Sequence, residues 1–196
     1  RDLRFRGEHN CIGMMFDTIW EHWATKGPHL YMLGRMTWNP GADGEAILAD
    51  YYTRGFGPAA AEIGAYWDLL EEKRNDLIRQ NMNRYDVPKV YTQQVLDKAE
   101  GLLQGAEQKV AGKPKYARRV AFLRAGFDYS RRLIKARSLM MRMEKAGSQD
   151  PQTVKEIKAL WDRIRQIRKR TPLGFNDGFL QPHQRWMKGF YPEPRR

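Results

Sequence analysis

The chain has 196 residues, 41% hydrophobic and 12% aromatic, which is enough apolar side chain to bury a core and too much for a disordered chain. Its charged fraction is 30% and its mean hydropathy −0.75; it has no apolar run of the roughly 18 residues a membrane span needs and no signal-peptide pattern, so no membrane partner is expected. The net charge of +12 is uneven: residues 1–60 carry 6 Lys or Arg against 7 Asp or Glu, residues 61–111 carry 7 against 9, and residues 112–196 carry 22 against 7, so an anionic partner is expected for the last part.

The chain opens on Arg1 rather than Met, which reads as a processed or truncated product. The apolar run Cys11, Ile12, Gly13, Met14, Met15, Phe16, stopping at Asp17 and Thr18, predicts a short buried strand. Ile19, Trp20 and Trp23 then fall at helical spacing over residues 18–25, until Lys26, Gly27 and Pro28 break the pattern. A second short helix is expected from 28 to about 37, with its proline in the first turn. Asn39, Pro40, Gly41 and Ala42 form a turn, and Asp43 is placed to cap a helix through Ile47, Leu48, Tyr51 and Tyr52 that Gly55 or Gly57 ends.

From Pro58 onward only helical periodicity remains. Ile63, Tyr66, Trp67, Leu70, Leu77 and Ile78 mark one helix, and Val95, Leu96, Ala99, Leu102, Leu103, Ala106 and Val110 another. A long helix is predicted over 115–145, with Tyr116, Val120, Leu123, Phe127, Ile134 and Met141 near a heptad seam. A capping signal at 148–151 starts a last helix with Val154, Ile157, Trp161, Ile164 and Ile167 on one face and Lys or Arg on the other. These helices predict a bundle. The tail from Pro172, rich in Gly, Pro and aromatics, reads as extended chain.

Several features together resemble a bacterial domain-of-unknown-function family of glycoside-hydrolase-like proteins. They are the apolar run ending at Phe16 and Asp17; the pair His22, Trp23; Trp38, Asn39, Pro40; and Asp50, Tyr51, Tyr52 leading to Gly55, Phe56, Gly57, Pro58, Ala59, Ala60. In that family the pattern corresponds to the last strands and helices of a (β/α)8 barrel, similar in style to alpha-glucuronidases and hexosaminidases, followed by a helical C-terminal domain. The resemblance therefore implies a mainly α chain: a helical bundle of three to four long helices preceded by a small β/α remnant of a (β/α)8 barrel. The expected units are a terminal β/α unit over 1–57, a helical bundle over 58–171 and an extended tail over 172–196. It also implies carbohydrate as the ligand and a periplasmic or secreted location. A barrel needs about 250 residues, so this chain alone is expected to lack catalytic carboxylates and enzyme activity. The remainder of the barrel, another chain or a second copy would then cover the apolar face around Ile12 to Phe16.

In the barrel reading, Asp17, Thr18 and Trp20 follow the strand and face the substrate; Asp17 bonds sugar hydroxyls there, assists a general acid elsewhere, or caps the helix that begins at Thr18. Trp20, Trp23 and Trp38 offer faces on which a pyranose ring can stack, although core positions are the commoner use of such residues. His22 is read as a structural histidine or a substrate contact. His9, His22 and His29 lack the i, i+4 arrangement of a helical zinc pair, so no metal is expected. No cofactor is expected either, because the glycines make no Walker or dinucleotide loop. A single cysteine, Cys11, excludes an internal disulfide and leaves the compartment open. The runs Arg118-Arg119, Arg131-Arg132 and 163–170 are either solvated helix faces or a surface for an acidic polymer. With no helix-turn-helix, zinc-finger or RNA-recognition signature, nucleic acid is not the expected partner. The competing expectation is a non-enzymatic basic helical module that binds an acidic polymer, polysaccharide or nucleic acid, or a protein partner.

Overall fold

The computed structural model of the chain describes residues 2–12, 23–80 and 86–175, with the side chains from Phe5 onward. The described residues form helices α1 (Asp2–Glu8), α2 (Trp23–Trp38), α3 (Gly44–Phe56), α4 (Ala60–Arg79), α5 (Val87–Val90), α6 (Gln93–Lys109), α7 (Pro114–Ala146) and α8 (Pro151–Arg170). Single 3-10 turns occupy Gly57–Ala59 and Pro172–Gly174.

The chain is therefore mainly helical, as expected. It has more helices than the three to four anticipated: seven of seven residues or more among the described residues, besides the one-turn α5. Among the described residues there is no strand and no barrel remnant. Of the predicted strand, Cys11 and Ile12 are described, and both are exposed with no regular structure; Gly13 to Phe16 lie outside the described residues. The surplus helices come from segments with weak apolar periodicity. α1 is a short polar helix, and α2 runs on past a break at Lys26 (φ −137°, ψ 16°), after which Pro28 sits inside the first turn.

Side-chain caps start three of the described helices, α3, α6 and α8. Asp43 accepts a hydrogen bond from the Glu45 amide at 3.0 Å at the start of α3. Asp150 accepts from the Thr153 hydroxyl at 2.6 Å and amide at 2.7 Å at the start of α8, and these bonds hold its carboxyl below the usual range. The 33-residue α7, about 50 Å long at 1.5 Å per residue, ends at Gly147 in the left-handed region (φ 63°).

That length lets α7 serve two cores. Its N-terminal half puts Val120, Leu123 and Phe127 against Ile63, Tyr66 and Trp67 of α4 and Ala99, Leu103 and Ala106 of α6. Its C-terminal half puts Tyr129, Leu139, Met140 and Met143 against Ile157, Trp161 and Ile164 of α8, with Ala24 and Phe175 closing the cluster. An ionic clasp ties α6 to the first half: Arg124 bonds Glu100 at 2.5 Å and Glu107 at 2.8 Å, and Arg131 bonds Glu100 at 2.9 Å. The segment after α8 is not extended at its start. Gly174 and Phe175 are buried, and the Phe175 ring stacks on Tyr129 at 4.5 Å; residues 176–196 lie outside the described residues.

Candidate functional site

The break in α2 brings Gly27 under α3. A Cβ on Gly27 would lie 2.3 Å from the Tyr51 hydroxyl oxygen, so the absence of a side chain there is what lets Tyr51 cross above it. Gly126 does the same on the other flank, where a Cβ would meet the Ala24 carbonyl oxygen at 2.1 Å. Between α2, α3 and the start of α7 these close approaches leave a groove of about 710 Å³. Its floor is apolar, with Leu30, Tyr51, Phe56, Phe122 and Leu123, and its edges carry Trp23, Tyr31, Asp50 and four arginines.

The polar groups are arranged in two sets. In the first, the Tyr31 hydroxyl donates to the Asp50 carboxylate at 2.7 Å, and Arg54, one turn on, pairs with the same carboxylate. The Tyr31 hydrogen bond, helped by the Arg54 and Arg35 charges, holds the Asp50 carboxyl below its ordinary range; the same bond raises the Tyr31 phenol. In the second, Arg119 donates to the Arg54 and Gly55 carbonyls, both at 2.9 Å. These are carbonyls at the C-terminal end of α3, where a cation also offsets the helix dipole. Around the floor, Tyr51 packs edge-on to Phe56 at 5.5 Å and tilted to Tyr31 at 5.3 Å. Burial pushes its phenol far up, and that of the neighbouring Tyr52 to about 12.

The structure brings one expected site residue into this groove. Trp23 lines it with its side chain 46% exposed, so it is not the core residue that its helical spacing favoured. Trp38, at the last position of α2, is 92% exposed and lines no part of the groove, so the core reading fails for it too. Asp17, Trp20 and His22 lie outside the described residues. Tyr31, Arg35 and Asp50 were not singled out from the sequence as site residues. The available signal was a pair of i, i+4 steps, Tyr31 to Arg35 and Asp50 to Arg54, each linking an acidic or phenolic group to an arginine one helical turn away.

A second cavity, of about 540 Å³, lies between α5, α6, α7 and α8. Three of its four cations are compensated, Arg131 by Glu100, Arg132 by Asp128 and Lys135 by Glu156, which leaves Arg142. The first groove leaves two, Arg35 and Arg118.

Residues 1–68 match one family model, described as Domain of unknown function (DUF4838). The match covers about a third of the chain and includes Trp23, Tyr31, Arg35, Asp50 and Arg54, whereas the α7 wall with Arg118 and Arg119 lies beyond it. It agrees with a resemblance to a domain-of-unknown-function family. No curated protein and no solved structure matches the chain.

Proposed function

We propose that the chain is the helical, carbohydrate-binding end of a glycoside-hydrolase-like protein, with the groove between α2, α3 and α7 as its sugar site. The observation that carries this reading is the pairing, in one groove, of aromatic surface at Trp23 with the hydrogen-bonded Tyr31–Asp50 pair. A pyranose presents an apolar C–H face and a rim of hydroxyls. Indole and phenol rings receive the face, and a carboxylate with neighbouring guanidiniums accepts from and donates to the rim. The role is binding rather than bond cleavage. Asp50 is the one carboxylate lining the groove among the described residues, and glycoside hydrolysis ordinarily needs two. In this reading the catalytic acids belong to the rest of a barrel.

The test is calorimetric titration of the chain with gluco-, xylo- and malto-oligosaccharides and with oligomers bearing acidic groups. Binding of any of these that is lost in Trp23→Ala and Asp50→Ala, with the fold retained, supports the proposal. Binding that survives both substitutions, or no binding at all, removes it.

A second reading has its own support. On the outward face of α8, opposite Ile157, Trp161 and Ile164, Lys155, Lys158 and Lys169 are exposed and have no carboxylate partner among the described residues. That face suits an acidic polymer or protein. Binding there would weaken steeply with salt and be indifferent to Trp23→Ala.

A further inference from the structure

We infer that the groove selects a saccharide carrying an anionic substituent, a carboxylate or a sulfate, seated against Arg118 with Arg35 as the second cation. This rests on the proposed sugar-binding reading and adds the ligand class to it.

The charge balance of the lining drives the inference. Four guanidiniums, on Arg35, Arg54, Arg118 and Arg119, face one carboxylate, on Asp50. Arg54 is paired with that carboxylate, and Arg119 is spent on the carbonyls of Arg54 and Gly55. Arg35 and Arg118 have no carboxylate partner among the described residues, and both are exposed. A neutral sugar would leave both charges uncompensated. An acid group gains a charge-assisted, fork-shaped donor in Arg118 and the longer-range field of Arg35, and the arginine fork suits carboxylate and sulfate alike.

Asp50 fixes which end the acid occupies. A second anion beside it would be repelled, so the substituent belongs on the α7 side, over Arg118. Arg35 is the lesser of the two, because part of its field already acts on the Asp50 carboxylate. The hydroxyl rim of the ring then falls to the Tyr31 and Asp50 side, and its apolar face to Trp23 and Phe122.

The experiment compares three oligomers of one length on the intact chain: a neutral one, one bearing carboxylates and one bearing sulfates, titrated by calorimetry at low and at physiological salt. The expected result is binding at least about tenfold tighter for one or both anionic oligomers than for the neutral one, as a charged hydrogen bond at a part-exposed site provides. Arg118→Gln removes most of that gain and Arg35→Gln removes less. Both arginines are on exposed helix faces, and circular dichroism checks that the variants stay folded. The relative affinities of the two anionic oligomers say which acid is preferred. Equal affinity for neutral and anionic oligomers, abolished by Trp23→Ala, overturns the selectivity while the sugar site stands. Anionic binding that ignores Arg118→Gln and falls on loss of Lys155, Lys158 and Lys169 overturns it in favour of the α8 face. Failure of every oligomer to bind overturns both the selectivity and the sugar site beneath it.

Discussion

Replacing Gly126 by alanine sets two known effects against each other at the contact that shapes the groove. Gly126 is buried in the middle of α7, where alanine would ordinarily stabilise the helix by about 1 kcal/mol. Here the new Cβ would lie 2.1 Å from the Ala24 carbonyl oxygen and 2.8 Å from its carbonyl carbon. An ordinary carbon–oxygen contact is about 3.3 Å, so α2 has to retreat by roughly 1 Å. The obstacle is backbone and cannot rotate away. Overpacking of this kind costs about 3 kcal/mol at the upper end of the usual range, leaving a net loss of about 2 kcal/mol. For a chain of this size that lowers Tm by about 4–8 °C. Gly101, in α6, has nothing within 4 Å of a new Cβ, so the same substitution there should raise Tm by about 2–3 °C. Thermal unfolding followed by circular dichroism measures both. A Gly126→Ala protein as stable as the parent would refute the close approach of α2 to α7, and a Gly101→Ala protein that loses stability would refute the open surroundings of Gly101 in α6.

Three further outcomes follow from the same geometry. Gly57→Ala should lower Tm by more than Gly126→Ala, because Gly57 combines a φ of 54° with a Cβ position 2.6 Å from the Tyr116 ring; a shift within about 2 °C of the parent counts against it. Tyr31→Phe removes the main cause of the low Asp50 pKa, so the carboxyl should titrate at higher pH in the variant, as read by carbon-detected NMR. Because the depressed value stabilises the fold at pH above the ordinary carboxylate pKa and that gain is lost as pH falls through the folded value, the variant should also show less acid sensitivity between these two points. Glu100→Gln takes away the carboxylate shared by Arg124 and Arg131; both are part-exposed, so a loss of about 1–2 kcal/mol is expected in urea unfolding, with no change in sugar affinity.

The parts of the fold legible in the sequence are those fixed locally. Asp43 and Gly57 bracket α3 as their residue types require, and the long α7 and amphipathic α8 appear where Val120, Leu123 and Phe127, and then Ile157, Trp161 and Ile164, repeat at helical spacing. α1 escaped because its seven residues carry no apolar stripe, and α5 because one turn holds no period. The groove was illegible for a different reason. Arg119 reaches carbonyls 64 and 65 positions back, and Gly27 and Gly126 matter only for what lies across from them. In the sequence, Arg118 and Arg119 show only as a charged pair. Trp23 was named on residue type and does line the groove; Trp38 was named on the same ground and faces outward at a helix end.

The most direct test of the account is an amide NMR titration of the chain with an acidic oligosaccharide, following Gly27, Gly34 and Gly55, three glycines that line the groove on α2 and α3. The account predicts saturable shifts at these amides and at Arg118 and Phe122 on α7, abolished in Trp23→Ala. Shifts confined to residues 155–169 of α8, or no shift at any concentration, would contradict it.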